Sequence, residues 1–234
     1  YSMNRIHILS EHVKQKIAAG EVVEGPFSVV KELLENAIDA KSSKINVEIL
    51  DAGLKKIVVK DNGSGIHSDD ISLAITEHAT SKITDVDDIL EIYSFGFRGE
   101  ALSSISSIAG LTILTRTKEE EIGVKLYKHS KTAETASYAG PVGTTVIVEN
   151  LFYSIPARKK FLKAHRTELK YIRDVFYKIA LAHPEISFTL DVDNKRVATL
   201  PSVKDLEARA RKIYSDDIID NCYFDVIKDL KVSI

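Results

Sequence analysis

Glu32, Glu35, Asn36 and Asp39 stand at i, i+3, i+4 and i+7 within the run Val29–Ala40. On a helix this spacing lines four polar groups along one face. Val30, Leu33, Leu34, Ala37 and Ile38 supply the apolar remainder, which faces a core. The stripe reads either as a solvated face or as a place where carboxylate and amide oxygens meet a hard cation, such as magnesium carrying phosphates. Carboxylates stacked one turn apart repel each other unless a cation compensates them. Asn36 is also a poor helix former with no capping task at mid-helix. Both features weigh against a plain solvated face, and the stripe alone leaves the two readings open.

Two glycine-bearing segments offer further chemistry. Asp61-Asn62-Gly63-Ser64-Gly65 follows a strand-like run, and its glycines allow positive φ and close approach of a ligand to the backbone. Ser68 stands where a dinucleotide fingerprint needs its third glycine, and Ser72 where an EF-hand loop needs Glu. Taken alone, the segment is a plain turn. Gly96–Leu102 runs from an irregular stretch into a helix, where backbone N–H groups bind anions. Gly99 leaves that approach open and Arg98 adds a planar fork for phosphate oxygens. No Walker Lys-Ser/Thr pair follows, so this is not a P-loop.

The elements that position these residues follow from pattern and punctuation. Ser10 caps a short helix over Glu11–Ala19 that Gly20 stops. Pro26 and Ser28 open the helix Val29–Ala40. Lys44–Leu50 and Lys55–Lys60 read as a hairpin joined by Asp51–Leu54, and Ser68–Thr76 as helix. Thr80–Arg98 reads as loop with a short helix near Val86–Tyr93, followed by a helix at Ala101–Ile108. Leu111–Thr117, Gly123–Lys128 and Thr144–Glu149 alternate as strands, and Arg166–Ala182 is a basic helix. A second hairpin pairs Ile186–Val192 with Arg196–Leu200 around Asn194-Lys195. A helix at Asp205–Tyr214 and a strand-like stretch at Tyr223–Ile234 close the chain. Strands and helices mixed with hairpins give an α+β class.

Bulk composition narrows the function classes. The 234 residues are 44% hydrophobic and 28% charged with a net charge of −2, so nucleic-acid contact has to come from a local patch. Such a patch runs from Arg158 to Lys178, with eight basic residues against two acidic ones. It reads as a solvated helix face or as a sequence-independent contact to a DNA backbone. The single cysteine, Cys222, excludes an intramolecular disulfide, and the seven histidines lack ligand spacing for zinc. No apolar run reaches membrane-spanning length, and no secretory signal opens the chain, so the expected location is intracellular.

The order of the motifs carries a family resemblance. E-L-L-E-N-A-I-D-A at 32–40, D-N-G-S-G-I at 61–66, H-A-T-S-K-I at 78–83, G-F-R-G-E-A-L at 96–102 and G-T-T at 143–145 resemble the Bergerat-fold (GHKL) ATPases. I-A-A-G-E-V-V-E at 17–24, the extended G-F-R-G-E-A-L-S-S-I loop and N-L-F-Y-S-I-P-A-R-K-K-F-L at 150–162 resemble the MutL proteins of DNA mismatch repair within that superfamily. This resemblance implies a two-layer α/β sandwich, with a mixed, largely antiparallel sheet covered by helices. It implies a GHKL ATP-binding domain over residues 1–202. Residues 203–234 would be a linker helix and the first strand of a ribosomal S5-like transducer domain.

The resemblance also assigns roles by matching positions. Glu32 would activate the water that attacks the γ-phosphate, Asn36 would hold magnesium, and Asp61 would accept the adenine amino group. Gly63 and Gly65 would let the backbone close on the base. Thr80, Ser81, Lys82, Arg98, Gly99, Glu100, Ala101 and Leu102 would wrap the phosphates as a lid, and Thr144 would support Asp61 through a water. Arg158, Lys159, Lys160, Lys163 and Arg166 would contact DNA. Implied partners are DNA, a MutL-type dimer partner (self or paralogue) and a MutS-type mismatch-recognition protein. The location would be nuclear in a eukaryote and cytoplasmic in a prokaryote, with no membrane. Gly25 departs from the Arg that usually precedes Pro in the family, which is expected to soften the start of the helix carrying Glu32. MutL proteins also bring a lysine to the γ-phosphate from their second domain. Without it the expectation is ATP binding with slow turnover, the alternative being a nucleotide-gated clamp with no meaningful hydrolysis.

Overall fold

The computed structural model describes residues 19, 23–76, 101–130 and 132–214. The expected helix at Glu11–Ala19 (all but its last residue), the segment near Val86–Tyr93 and the terminal strand Tyr223–Ile234 lie outside them.

One eight-stranded sheet organises the described residues. The strands are β1 (Lys44–Leu50), β2 (Lys56–Asp61), β3 (Gly110–Arg116), β4 (Gly123–His129), β5 (Thr132–Tyr138), β6 (Gly143–Glu149), β7 (Ser187–Val192) and β8 (Lys195–Leu200). Their spatial order is β5-β4-β3-β6-β2-β1-β7-β8. Every neighbouring pair is antiparallel except β1 with β7. The sheet is mixed and largely antiparallel, as expected for the α+β class.

Alternation along the central strands decides which face is covered. Ile45, Val47 and Ile49 of β1 are fully buried, whereas Glu48 between them is exposed. On the covered face these residues join one core with Val30, Leu33 and Leu34 of α1 (Pro26–Asp39), Ile105 and Ile108 of α2 (Ala101–Ile108), and Ile172, Phe176 and Ala180 of α4 (His165–Ala182). Ile172, Phe176 and Ala180 recur every four residues and so form one apolar stripe. Phe176 meets Phe188 of β7 edge-on at 6.0 Å between ring centroids.

Three local departures from the sequence pattern have identifiable causes. Ser68–Thr76 is a chain of turns ending in a 3-10 segment, Leu73–Ile75, and not an α-helix. Its backbone bonds run mainly three residues back, Asp70 N–H to His67 O, Leu73 N–H to Asp70 O and Thr76 N–H to Leu73 O, while Ser68 N–H donates to Glu120 and Asp69 N–H to the His67 ring. β5 has no apolar signature, since Thr132 to Ser137 are all exposed. It exists because its backbone pairs with β4 over seven positions. A one-turn helix, α3 (Pro156–Lys159), opens at Pro156, whose fixed φ suits a first helical position. After the second hairpin, α5 (Leu206–Ile213) starts at Asp205, whose side chain accepts the Ala208 N–H at 2.8 Å. Buried Arg209 ties α5 to the sheet, donating to the carbonyls of Pro184 and Ile186 and lying 5.8 Å from the Phe188 ring centre.

The start of α1 is closed by Ser28, not softened by Gly25. The Ser28 hydroxyl donates to the Gly25 carbonyl at 2.7 Å and accepts the Gly25 N–H at 3.3 Å. Gly25 itself is extended, a conformation open to any residue. The position nonetheless leaves an imbalance. Glu168, 4% exposed, accepts the Lys163 N–H through Oε1, while Oε2 is buried with no hydrogen-bond partner. A Cβ on Gly25 would stand 3.4 Å from that oxygen. Gly25→Arg is therefore expected to supply the missing donor. A charge-assisted bond worth roughly 1–2 kcal/mol would raise the thermal midpoint by a few degrees. The gain should vanish in a Glu168→Gln background, and an unchanged or lower midpoint for Gly25→Arg alone contradicts the assignment.

Candidate functional site: a carboxylate at the junction of three strands and a helix

Asp61 ends β2, and its side chain is held from three directions at one oxygen. Oδ1 accepts the Gly63 N–H at 2.7 Å, the Ser42 hydroxyl at 3.2 Å and the Thr144 N–H at 3.3 Å. None of the described hydrogen bonds falls on Oδ2. Burial raises the carboxyl's pKa above the ordinary aspartate value, against the lowering effect of the Gly63, Ser42 and Thr144 hydrogen bonds. An oriented, partly desolvated carboxylate with one free oxygen is an acceptor for an external N–H donor.

The loop after Asp61 is locked to its surroundings by its own backbone. Ser64 N–H donates to Ala40 O at the end of α1, and Asn62 Oδ1 accepts the amides of Ser43 and Lys44. A Cβ on Gly63 would lie 2.6 Å from Ala40 O, so only glycine permits this approach. Gly65 has φ +77°, and a Cβ there would lie 2.3 Å from Arg116 O. Ile66 N–H then donates to the Thr115 hydroxyl at 2.8 Å. Glu120, in the turn between β3 and β4, accepts the amides of Ser68 and Thr117 and the Thr117 hydroxyl. These bonds, Ser68 foremost, hold its pKa down to about 2.

The structure brings the α1 stripe to this loop through the Ser64–Ala40 bond. Glu32, Asn36 and Asp39 are half-buried on α1. Glu35 is buried and is compensated on its own helix by Lys31, whose Nζ lies 3.3 Å away. Part of the repulsion that the sequence spacing pointed to a metal is thus relieved by Lys31. Burial is also the largest effect on Glu35, raising its pKa. Thr144 reaches Asp61 directly through its main chain, while its hydroxyl faces the Thr115 hydroxyl at 3.0 Å. Ala101 and Leu102 begin α2, half-buried. Thr80, Ser81, Lys82, Arg98, Gly99 and Glu100 lie outside the described residues. Arg158, Lys159, Lys160, Lys163 and Arg166 gather on α3, the first turn of α4 and the loop between them, all at least partly exposed.

Sequence reasoning passed over Ser42, Thr115 and Glu120. Ser42 sits in a short loop, and Thr115 had only a strand former's signal. Glu120 is one of three consecutive glutamates, Glu119–Glu121, with nothing to distinguish it. Their roles come from contacts distant in sequence. Among the described residues no group of three or more His, Cys, Asp or Glu is placed to hold a metal, and no helix is long and apolar enough to cross a membrane.

Residues 24–150 match the family described as histidine kinase-, DNA gyrase B-, and HSP90-like ATPase. The chain is 45% identical over 221 residues to the DNA mismatch repair protein MutL of Mannheimia succiniciproducens, covering 92% of this chain and 35% of that protein. It is 49% identical over 218 residues to MutL of Clostridium acetobutylicum, covering 93% and 35%. Among solved structures, the Aquifex aeolicus MutL ATPase domain complexed with ADP superposes with a TM-score of 0.69 at 33% identity, covering 82% of this chain and 69% of that one. The chain therefore belongs to the histidine kinase-, gyrase B- and HSP90-like ATPase family, and within it to the MutL proteins. It spans about a third of the length of the curated relatives it matches.

The Asp61 geometry makes a prediction with two opposite signs. Because the folded pKa is raised, the group's contribution to stability is fully present below about pH 3.9 and is lost as pH rises through the folded value. Acceptance of an N–H donor requires the carboxylate and is gained over the same window. Thermal midpoints of the wild type should fall relative to Asp61→Asn as pH rises from about 4. Parallel midpoint curves would remove the basis for a destabilising, buried carboxylate.

Proposed function

We propose that the chain binds ATP with magnesium between α1, the Asp61–Gly65 loop and the start of α2, and hydrolyses it as the ATPase module of a MutL-type mismatch-repair protein. The observation that carries this reading is Asp61: three donors fix Oδ1, while Oδ2 takes none of the described hydrogen bonds. An adenine amino group matches that free acceptor, and the A. aeolicus relative was solved with ADP.

Roles on the remaining residues follow from position. Glu32, on α1 one turn before Asn36, orients and deprotonates the attacking water. Phosphoryl transfer depends on such positioning and on charge neutralisation more than on covalent participation. Asn36 supplies an oxygen to magnesium. The half-buried amide and the absence of a carboxylate cage among the described residues fit an ion that keeps several waters and binds mainly through substrate phosphates. Magnesium supplies charge neutralisation at the phosphates when bound. Thr80, Ser81, Lys82, Arg98, Gly99, Glu100, Ala101 and Leu102 close over the phosphates as a lid and exclude water. Residues 1–202 form this domain, and residues 203–234, beginning with the helix pinned by Arg209, lead into a transducer domain.

The output of the site is conformational. Lid closure promotes pairing with a MutL-type partner and engagement of a MutS-type protein, while Arg158, Lys159, Lys160, Lys163 and Arg166 hold the DNA backbone. Calorimetric titration with ATP and magnesium, coupled to phosphate-release assays, tests the nucleotide reading. Glu32→Ala should keep ATP affinity and lower phosphate release by about 100-fold or more, the ordinary range for losing a general base. Equal turnover in wild type and Glu32→Ala removes Glu32 from the mechanism. DNA affinity should fall steeply with salt, and charge reversal at Lys159 and Lys160 should flatten that slope. Affinity indifferent to salt would exclude a backbone contact.

A further inference from the structure

The sheet ends in two edges that differ in kind. β8 is shielded: its register against β7 shifts at Leu190/Asp191, Lys195 and Arg196 open it, Pro201 follows it, and α5 lies beside it. Bulges, charges and prolines of this sort keep an edge from pairing with another chain. β5 carries none of them. It runs Thr-Ala-Glu-Thr-Ala-Ser-Tyr, pairs with β4 without a break over seven positions, and is exposed from Thr132 to Ser137. Among the described residues β4 is its only sheet neighbour.

The hairpin decides which backbone groups that edge offers. His129 pairs with Thr132 across a two-residue connection, which turns the Thr132 amide toward β4. Antiparallel strands alternate, so Glu134, Ala136 and Tyr138 also turn their backbone groups to β4. Ala133, Thr135 and Ser137 therefore present their N–H and C=O groups at the open edge.

A second β5 complements it. Laid antiparallel about a two-fold axis at Thr135, Ala133 meets Ser137, Thr135 meets Thr135, and Ala136 meets Glu134. Ala133, Thr135 and Ser137 then face one another across the axis, each pair exchanging two backbone bonds. A threonine pair on the axis is a favourable cross-strand contact. Glu134 is the strand's one charged residue, and an axis at Glu134 would set it against itself, so like-charge repulsion disfavours that slip. The Thr135 register also supplies a counter-charge. Side chains directly opposite share a face, and Lys125 of β4 pairs with Ala136. The second copy's Glu134 lies on that same face, beyond the small Ala136 side chain and roughly 10 Å from Lys125 between backbones, two strand spacings. Two long side chains of opposite sign span that gap, and the axis repeats the pair.

We propose that β5 is a self-pairing edge: two copies of this chain join their sheets antiparallel through β5, with Thr135 facing its own counterpart on the two-fold axis. The interface is isologous, as a two-fold dimer requires. One ladder of this length is small beside a standard interface, so the pairing is weak and reversible. It needs no nucleotide, since three strands stand between β5 and β2, which carries Asp61.

Sedimentation equilibrium of the chain without nucleotide, over a concentration series, tests the association. The wild type should show a reversible monomer–dimer equilibrium. Thr135→Lys meets itself on the axis and should raise the dissociation constant about tenfold or more. Glu134→Lys should also weaken the dimer by bringing like charges beside Lys125, and adding Lys125→Glu should restore it. Disulfide trapping reads the register in a Cys222→Ser background. Thr135→Cys should crosslink with itself on oxidation, whereas Ala133→Cys and Ser137→Cys should crosslink only when the two proteins are mixed. A wild type still monomeric at about 1 mM overturns the proposal, because a contact that weak contributes little more than about 4 kcal/mol. So does a dimer that Thr135→Lys and the charge exchange both leave unchanged, which places the contact on another surface. Equal crosslinking at all three positions contradicts the register. If Thr135→Lys does not fold, the charge exchange and the trapping decide the matter.

Discussion

A carboxylate placed where a sheet, a helix end and a neighbouring strand meet is costly to bury, and the surroundings of Asp61 are built around keeping it there. Gly63, Ser42 and Thr144 each give a hydrogen bond to the same oxygen. They come from the loop after β2, the loop after α1 and the start of β6. Holding one oxygen so firmly orients the other, and that asymmetry turns a buried acid into a directional acceptor. The cost shows as a pKa raised by burial. A site that is poised to bind is here a site that weakens the unliganded fold.

The rest of the architecture can be traced outward from that point. The pairing of β2 with β6 brings Thr144 to Asp61, and β6 with β3 brings Thr115 to Thr144. The Ser64–Ala40 bond fastens the glycine loop to the end of α1, which carries Glu32 and Asn36. Glu120 fastens the chain beyond Gly65 to the turn between β3 and β4 and keeps its charge down to about pH 2. This clamp therefore stays intact across the pH range in which Asp61 changes state. α4, through Ile172, Phe176 and Ala180, supports the covered face of the sheet.

Much of this was legible in the sequence, for physical reasons that differ by element. β1 was readable to the residue because alternation with one buried face is a strong local signal. The start of α2 was readable because a glycine-rich loop ran straight into an apolar helix. β5 was not readable, since Thr132–Tyr138 buries almost nothing and is ordered only by its partner strand. The turns at 68–76 depart from the helical reading because their backbone bonds run mainly three residues back, and the Ser68 amide is held by Glu120, distant in sequence. At the site, Glu32 and Asn36 stood out by type and spacing, whereas Asp61 sat in what read alone as a plain turn, and motif order gave all three a family. Ser42 and Thr115 did not stand out, because a hydroxyl in a loop or strand has no signature until its partner is known. The Glu35 carboxylate shows the converse: its spacing suggested a metal, and its neighbour Lys31 supplies the positive charge.

The most direct test is a crystal structure of the chain with magnesium and a non-hydrolysable ATP analogue. The account predicts the adenine amino nitrogen within hydrogen-bond distance of Asp61 Oδ2, roughly 2.7–3.2 Å, with the Oδ1 contacts to Gly63, Ser42 and Thr144 unchanged. A nucleotide bound with its base away from Asp61, or contacting it only after the Oδ1 contacts break, would contradict it.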